Sequence, residues 1–473
     1  MNIKVLFFAV LPFWVGSCLF SCTNSPTKKK EQTTEAISDD SLLTLVQHQT
    51  FRYFWEGAEP NSGMARERFH VDGVYPENDQ QVVTTGGSGF GLMAILVGIE
   101  RGFVTRGEAA DRFLKIVDFL EKADRFHGAW PHWLDGETGK VKPFSPKDDG
   151  GDLVETAFLV QGLLAVKQYF LNGNDQEQEL VRRIDKLWRE VEWDWYQKGE
   201  KVLYWHWSPN YDWAMNFPVE GYNECLVMYI LGAASPTHPI TPDAYHQGWA
   251  RSGAIRGNHE KYGYVLELNH NGALEEGGPL FWSHYSFLGL DPRHLKDAYA
   301  DYWRHNVAHV MIDRQHCIEN PQGYKGYGEN CWGLTSCYTV KGAVDYFEGK
   351  TDLPPVTEKY PTLVDYAGHR PGFDLGVIAP TAAISSIPYA PKEVMKVIRF
   401  FYEELGADLW GPYGFYDAFS IHYNWFPKKY LAIDQGPVVV MIENYRTGLL
   451  WNLFMKDQDV QRGLNVLGFT VNQ

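Results

Sequence analysis

Three of the four carboxylates within residues 148–155, namely Asp148, Asp152 and Glu155, are spaced so that they could lie around the start of one helix. Asp152 and Glu155 are three residues apart, so both side chains share a face if a helix begins at Asp152. Asp148 approaches the same point from the preceding loop. Repulsion raises some of their pKa values while a helix N-terminus lowers others, which lets one carboxyl act as acid and another as base. The alternative is an N-capping Asp152 with a capping-box-like Glu155 and solvated neighbouring residues.

A second acidic pair, Glu220 and Glu224, stands at the start of a predicted helix over residues 220–232. Glu224 is the candidate general acid if it faces the same cleft, and an ordinary acidic first turn is the alternative. Asp417, another candidate catalytic residue, is embedded in aromatic sequence. Asp434 lies in an apolar segment near the C-terminus, where a charge needs a partner or a function. A purely structural explanation for the charged residues near the C-terminus is that Arg446 pairs with a carboxylate.

Aromatic residues are concentrated where a helical protein normally exposes polar loops. They make up 15% of the chain, which has 17 tryptophans, and they cluster in residues 129–133 (AWPHW), 204–207 (YWHW) and 410–417 (WGPYGFYD). Such segments favour a cleft built from loops on a rigid scaffold. The candidate substrate-binding residues in and around them are Arg66, Trp130, His132, Trp133, Trp205, Trp332, Tyr416 and Gln435.

Several familiar motifs are absent from the sequence. Residues 86–91 (GGSGFG) fit neither the dinucleotide nor the phosphate-loop pattern, and they are interpreted as a tight loop before a helix. No G-x-S-x-G or H-E-x-x-H occurs, which argues against an α/β-hydrolase or a zinc protease. His305 and His309 have helical metal spacing without an obvious third ligand and are interpreted as a surface or core pair. The sequence therefore predicts no metal and no cofactor.

Helical periodicity dominates the chain. A capping box joins Thr105 to Glu108, and other predicted helices include residues 334–347 and 391–405. Segments with alternating apolar and polar residues are scarce. About ten to twelve helices separated by aromatic loops predict a single all-α toroid rather than a sheet of parallel strands.

The N-terminus has the three-part pattern of a secretory signal over residues 1–21, ending in LFS before Cys22. This pattern predicts a lipidated Cys22, a polar tether over residues 22–40 and a single catalytic domain over residues 41–473. A plain cleaved signal and a retained membrane helix are the alternatives. The expected location is the periplasm, with membrane attachment only through the lipid.

The net charge bears on the choice of binding partner, and the number of cysteines bears on disulfide bonding. The formal net charge is -16, which disfavours nucleic acid as a partner, and a monomer is expected. Beyond the anchor, Cys225, Cys317, Cys331 and Cys337 are too few for a disulfide scaffold. The sequence does not decide whether two of the last three cysteines form a disulfide.

Several ordered motifs together resemble the bacterial glucoamylase-like proteins, which are grouped with the β-1,2-glucanases of glycoside hydrolase family 144. The likeness covers nearly everything from Ser41 onwards. The motifs that carry it are residues 83–91, 122–133, 150–156, 331–335, 432–437 and 443–446.

The resemblance implies an (α/α)6 barrel and an inverting hydrolase of linear β-1,2-glucan. Some members cut internally and others release sophorose from the non-reducing end, and the second behaviour is the one expected here. The family's acidic cluster matches Asp148, Asp152 and Glu155, a further acidic residue matches Glu224, and Asp417 matches a base. Asp148, Asp152 and Asp417 all remain candidates for that base.

Two other classes of function compete with the hydrolase. A noncatalytic, lipid-anchored glycan-binding protein would use the same aromatic cleft without turnover. A polysaccharide lyase also uses a helical toroid, and its unsaturated products absorb in the near ultraviolet.

Overall fold

The structure, a computed structural model, describes residues 37–77 and 79–471. Two units are distinguished, residues 1–38 and residues 39–473, and the second contains every element named below. The predicted signal peptide, Cys22 and most of the predicted tether lie outside the described residues. No helix in the described ranges is both long and apolar enough to cross a bilayer.

The second unit is built mainly from α-helices. Their bounds are α1 Asp39–Trp55, α2 Thr85–Glu100, α3 Arg106–Leu120, α4 Leu153–Phe170, α5 Asp175–Arg189, α6 Leu226–Ala234, α7 Tyr302–Glu319, α8 Ala343–Phe347, α9 Pro380–Ser385, α10 Pro391–Arg399, α11 Gly406–Leu409, α12 Ala432–Arg446, α13 Leu449–Met455 and α14 Gln458–Val466.

Short antiparallel strands connect the helices at their ends. They pair as β1 with β14, β2 with β3 and β3 with β4, β5 with β6, β7 with β8, β9 with β15, β10 with β11, and β12 with β13. Their bounds are β1 Arg68–His70, β2 Val82–Thr84, β3 Trp133–Asp135, β4 Val141–Lys142, β5 Gly151–Asp152, β6 His206–Trp207, β7 Arg256–Lys261, β8 Tyr264–Leu268, β9 Leu295–Lys296, β10 Ser336–Thr339, β11 Asp365–Gly368, β12 Trp410–Gly411, β13 Gly414–Phe415, β14 Lys429–Leu431 and β15 Thr470–Val471.

The helices divide into inner and outer ones by the distribution of their apolar residues. Nearly every residue of α2, α4, α6 and α12 is buried. The first three are mainly apolar on all sides, and α12 also buries polar residues such as Asp434 and Glu443. By contrast, α3 and α5 bury one stripe and begin with capping boxes at Thr105 and Asn174. A helix that is apolar all round belongs in the interior, and an amphipathic helix covers it. This alternation fits the predicted toroid.

Close packing explains the glycines of residues 86–91. A Cβ on Gly89 would meet the backbone carbonyl of Phe158 on α4, and one on Gly162 would meet Gly89 in return. The two backbones therefore touch at a point where no side chain fits. The interpretation of this segment as a loop was wrong, because the glycines lie inside the first turns of α2.

Two other local predictions were also wrong. The predicted helix over residues 220–232 begins only at Leu226, so Glu220 and Glu224 lie in the preceding loop. The predicted helix over residues 334–347 is strand β10 followed by the short α8. The apolar residues of 225–232 and of β10 are buried, and a short apolar run by itself does not reveal whether the segment is a helix or a strand.

Helix α12, the third helix from the C-terminal end, packs against the N-terminal helix α1. Arg446 forms an ion pair with Asp40, as its predicted pairing with a carboxylate required. Glu443, which is buried, accepts two hydrogen bonds from Arg101, of 2.7 and 2.9 Å. Gln47 on α1 donates to the same carboxylate at 3.1 Å.

The four cysteines in the described residues are buried free thiols, so no bridge forms among the last three in this structure. They are Cys225, Cys317, Cys331 and Cys337.

Candidate active site

Two of the predicted carboxylates, Glu155 and Glu224, line a cavity of about 340 Å³ at the ends of the inner helices. Its walls are mostly aromatic and its acidic side chains come from separate parts of the chain. The lining residues are Glu67, Arg68, Thr84, His132, Trp133, Phe144, Val154, Glu155, Phe158, Trp205, Glu224, Phe281, Tyr285, Ser336, Tyr338, Tyr366, Leu431 and Ile433. We call this cavity the cleft.

Asp152 organises one side of the cleft without lining it. It is the N-cap of α4, and its Oδ1 accepts the backbone N–H of Glu155 at 2.9 Å. Its Oδ2 accepts the indole N–H of Trp205 at 2.9 Å and bonds Nδ1 of His132 at 2.8 Å. The side chain is completely buried. Because both oxygens are engaged, Asp152 is suited to hold His132 and Trp205 in place rather than to activate a water.

His132 carries a positive charge at neutral pH. Burial by itself lowers the pKa of the imidazole, but the neighbouring carboxylates of Glu155, Asp152 and Asp148 outweigh burial and raise that pKa to about 10. The ring also stacks on Phe144, with centroids 4.1 Å apart. The cleft therefore contains a fixed cation among its carboxyl groups.

Glu155 lies one turn into α4 and faces the cleft. Burial and the charge of Asp152 raise the pKa of its carboxyl to about 7, against the lowering effects of His132 and of the Gly86 N–H. That N–H donates to Oε2 at 2.8 Å. A Cβ on Gly86 would lie 2.6 Å from the same oxygen, so glycine is required for this contact.

Glu224 reaches the cleft from the loop before α6. It is 8% exposed, and burial, with a smaller contribution from Asp152, raises the pKa of its carboxyl to about 7. A substantial fraction of this group is therefore protonated at neutral pH. Such a carboxyl is suited to donate a proton to a leaving oxygen.

Asp148 lies behind the cleft wall against His206. The Nε2 of His206 is 3.2 Å from Asp148 Oδ1, yet the same nitrogen accepts the Gly150 N–H at 3.2 Å. Burial lowers the pKa of His206, so the ring is neutral. Its Nε2 carries no proton and cannot donate a hydrogen bond to Asp148. Burial and the charge of Asp152 raise the pKa of Asp148 to about 7.

Asp417 and Asp434 form a buried carboxyl pair one layer below the cleft. The two side chains lie close together, and the negative charge of Asp417 adds to burial in raising the pKa of Asp434. Asp417 also accepts the Tyr338 N–H at 2.9 Å, and Asp434 accepts the Tyr285 hydroxyl at 2.9 Å. Burial raises the pKa of Asp417 to about 7 and that of Asp434 well above its ordinary value. Both tyrosines line the cleft.

The eight predicted substrate-binding residues separate into two groups. His132, Trp133 and Trp205 line the cleft, and the other five do not. Trp130 and Trp332 were wrong predictions, because both indoles are completely buried. Trp130 donates to the Leu120 carbonyl at 3.2 Å, which places it in the core.

The polar members of that second group are occupied elsewhere. Gln435 is buried and donates to the Phe415 carbonyl at 3.1 Å. Tyr416 is buried against Tyr430, with ring centroids 5.0 Å apart. Arg66 donates to the Gln80 carbonyl outside the cleft wall. The predictions for Gln435 and Tyr416 were wrong, because Gln435 is buried within α12 and Tyr416 in the loop after β13. Arg66 does not line the cleft, and its contact with substrate stays a prediction.

The cleft also contains residues that the prediction from sequence missed. Glu67 precedes Tyr285 and Tyr338 by more than two hundred positions in the chain, and no local pattern links the three residues. Asp434 had a visible signal, since a carboxylate within the apolar sequence of α12 is rare without a partner. Its partner Asp417 could not be identified from spacing.

One group in the described residues has the composition of a metal site. Candidate ligand atoms of His132, Asp148 and Asp152 lie within 4.8 Å of one another. However, Nδ1 of His132 bonds Asp152, and its raised pKa keeps that ring protonated, whereas a metal ligand must be neutral. The arrangement fits a hydrogen-bonded cluster better than a metal centre.

His305 and His309 are core residues with partners of their own. Nε2 of His305 lies 2.9 Å from Nε2 of His270. His309 contacts the Ser283 hydroxyl and the Gly278 carbonyl, each at 2.8 Å. Burial lowers the pKa of both rings, which are neutral, and the interpretation as a core pair fits these contacts.

Comparison with known proteins places this arrangement in a family. The family described as "Putative glucoamylase" matches residues 216–458. An endo-β-1,2-glucanase from Chitinophaga pinensis, solved with sophorotriose and glucose, is 60% identical, with 92% of this chain and 99% of that chain covered and a TM-score of 0.86. The chain belongs to this glucoamylase-like family. The predicted resemblance is therefore confirmed.

Two further relatives extend the comparison. A β-1,2-glucanase structure from Parabacteroides distasonis is 44% identical over 92% of this chain and 60% of its own, with a TM-score of 0.81. An exo-β-1,2-glucooligosaccharide sophorohydrolase (non-reducing end) from the same organism is 46% identical over 455 residues. The chain covers 58% of that sophorohydrolase's length.

A distant relative supports the fold alone. An endo-β-1,2-glucanase from Talaromyces funiculosus, solved with sophorose, is 12% identical with a TM-score of 0.58. The structural relatives are (α/α)6 toroids, so the predicted fold class is confirmed.

Proposed function

We propose that this chain is a glycoside hydrolase that cleaves linear β-1,2-glucan or β-1,2-gluco-oligosaccharides with inversion. The observation that carries the proposal is Glu224, a cleft-lining carboxyl whose pKa burial raises to about 7. The aromatic walls around it are suited to the apolar faces of sugar rings. Relatives that match most of this chain are named as enzymes acting on β-1,2-linked glucose.

Glu224 has the role of general acid in this proposal. Inversion also needs an ionised carboxyl that activates a water on the other side of the bond. Asp152 is excluded by its engaged oxygens and Asp148 by its position behind His206. Two carboxyls remain: Glu155 in the cleft wall, and Asp417, which would act through a relay. Azide added to Glu155→Gln and Asp417→Asn separates them, because only loss of the base allows a glycosyl azide of inverted configuration to form.

The pattern of cleavage has two candidates. Release of sophorose from the non-reducing end is the activity named for the Parabacteroides sophorohydrolase. Internal cleavage is favoured by the higher identity to the Chitinophaga endo-enzyme, nearly all of which the chain covers. Sophorose as the sole early product would identify exo action, and a ladder of oligosaccharides would identify endo action.

The deciding experiment is incubation of residues 23–473 with a panel of α- and β-glucans, followed by NMR of the first products. We expect hydrolysis of β-1,2-glucan alone and an initial α-anomer at the new reducing end. Binding without products would favour the glycan-binding alternative. Products that absorb in the near ultraviolet would favour a lyase, and cleavage of α-glucans would contradict the proposed specificity.

A periplasmic lipoprotein anchored through Cys22 is part of this proposal. The support is the apolar run followed by LFSC and a polar segment. Labelling of intact cells with a palmitate analogue should mark the full chain and not a Cys22→Ser variant. A monomer is also expected, and light scattering of residues 23–473 measures it.

A further inference from the structure

A second concave site lies outside the cleft. It has a volume of about 530 Å³ and shares no lining residue with the cleft. Two indoles, Trp195 and Trp213, form its aromatic part, with ring centroids 6.4 Å apart and planes inclined by 32°. The remaining lining residues are polar or small, namely Glu192, Asp194, Lys198, Gly199 and His238.

Trp195 is held in a fixed orientation although it is 40% exposed. His127 stacks on one face of the indole, with centroids 3.7 Å apart and planes inclined by 13°. Glu192 bonds the Nδ1 of His127 at 3.0 Å and so fixes the supporting ring. An indole with one supported face and substantial exposure is already arranged to stack on a ligand, so binding there would order few new groups.

The polar groups around the two indoles suit a neutral, hydroxyl-rich ligand. Glu192 and Asp194 accept hydrogen bonds, and Lys198 donates them. Both signs of charge are present, so the site does not select an anion or a cation by charge. Aromatic faces beside mixed donors and acceptors match the alternating apolar and polar faces of a sugar chain.

A row of indoles connects this site to the cleft. Trp205 lines the cleft and directly precedes β6, and Trp207 is the second residue of that strand. The alternation of side chains in extended backbone puts residues two apart on the same side. The ring of Trp207 lies 6.2 Å from that of Trp195, edge to face. All four tryptophans are partly exposed. The row Trp205, Trp207, Trp195 and Trp213 is called the outer indole row below.

One member of the outer indole row, Trp207, lies on the strand that pairs with the strand of Asp152. Strand β6 pairs with β5 so that Trp207 lies opposite Gly151 and His206 lies opposite Asp152. A chain that leaves the cleft past Trp205 would therefore meet the next indoles at positions fixed relative to Asp152.

We propose that the outer indole row binds the part of a β-1,2-glucan chain that extends beyond the cleft. The identity of this ligand rests on the proposed function, because the row continues from the cleft assigned to that substrate. Chains long enough to reach Trp195 and Trp213 gain the extra contacts, and short oligosaccharides that fill only the cleft do not.

The test compares long and short substrates in Trp195→Ala, Trp213→Ala and the double variant. For the double variant, we expect KM for polymeric β-1,2-glucan to rise about tenfold, equivalent to about 1.4 kcal/mol, while kcat/KM for the shortest cleaved oligosaccharide stays within twofold. Trp303→Ala, which removes a partly exposed indole on α7, is the matched control and should change neither value. An unchanged KM for the polymer, or an equal loss on both substrates, would overturn the proposal.

Binding without catalysis separates this proposal from the proposed function. Mobility in gels containing β-1,2-glucan is measured in the Glu224→Gln background, with and without the two tryptophan changes. Retardation that disappears in the tryptophan variants supports the row even if no hydrolysis is ever detected. Trp195→Phe, which keeps a ring stacked on His127, should restore part of the retardation, and failure to do so in a folded protein would contradict stacking as the cause.

Discussion

Replacing Glu224 by glutamine should remove activity and stabilise the protein at the same time. The carboxyl has a folded pKa of about 7 and an ordinary value of 4.5. Between these values the folded protein holds a proton that the unfolded chain has released, so the free energy of unfolding falls as pH rises. The difference corresponds to a loss of about 3 kcal/mol that is complete above pH 7. Glutamine keeps the shape of the side chain and carries no charge to desolvate.

The expected results follow from these two effects. Glu224→Gln should lose at least about 100-fold in kcat on β-1,2-glucan, the usual range for general acid catalysis. Above pH 7 its thermal midpoint should exceed that of the parent by about 3 °C, if unfolding entropy is about 2.1 cal/mol/K per residue over this domain. Near pH 4.5 the two midpoints should coincide.

The measurement is a pair of pH series, one of initial rates and one of calorimetric midpoints. Glu220→Gln is the matched control, because Glu220 is more exposed and pairs with Arg251 at 3.3 Å. It should keep both activity and the parent's pH dependence. Near-normal turnover in Glu224→Gln would refute its role as the acid. If the difference between the two thermal midpoints does not grow between pH 4.5 and 7, then ionisation of Glu224 does not destabilise the folded protein as argued.

Three further results are expected from the same structure. Asp152→Asn should lose at least about 100-fold in rate and also lower the thermal midpoint, since its amide nitrogen cannot accept the hydrogen bonds that Oδ2 now receives; an unchanged midpoint would contradict its place in that network. Burial lowers the pKa of His309 from 6.5 to about 4, so the unfolded chain takes up a proton there before the folded protein does. The free energy of unfolding therefore falls by about 3 kcal/mol as pH is lowered from 6.5 to 4. Urea titrations of His309→Gln should show a correspondingly weaker dependence on acid pH than the parent. Chelator treatment should leave the rate unchanged, and a loss restored by one divalent ion would show that the Asp152 cluster holds a metal.

Local spacing in the sequence was enough to predict the start of α4 and the capping box at Thr105. Asp152 caps that helix and Glu155 follows one turn later, because the distance between positions three apart is set by the helix itself. The same reasoning predicted the capping box at Thr105, which the structure contains. The ordered motifs also identified the family, since agreement over nearly the whole domain does not depend on any single residue.

The tertiary structure alone decided which of these residues face the cleft. Trp130 and Trp205 belong to similar aromatic loops, yet Trp130 packs in the core and Trp205 lines the cavity. Gly86 meets Glu155 through packing between segments that are 69 positions apart, and Asp417 meets Asp434 because the chain between them folds back on itself. Spacing along a chain fixes neighbours on one helix, whereas burial and pKa depend on which distant segments fold against that helix. That is why the sequence predicted the acidic cluster but not the roles of its members.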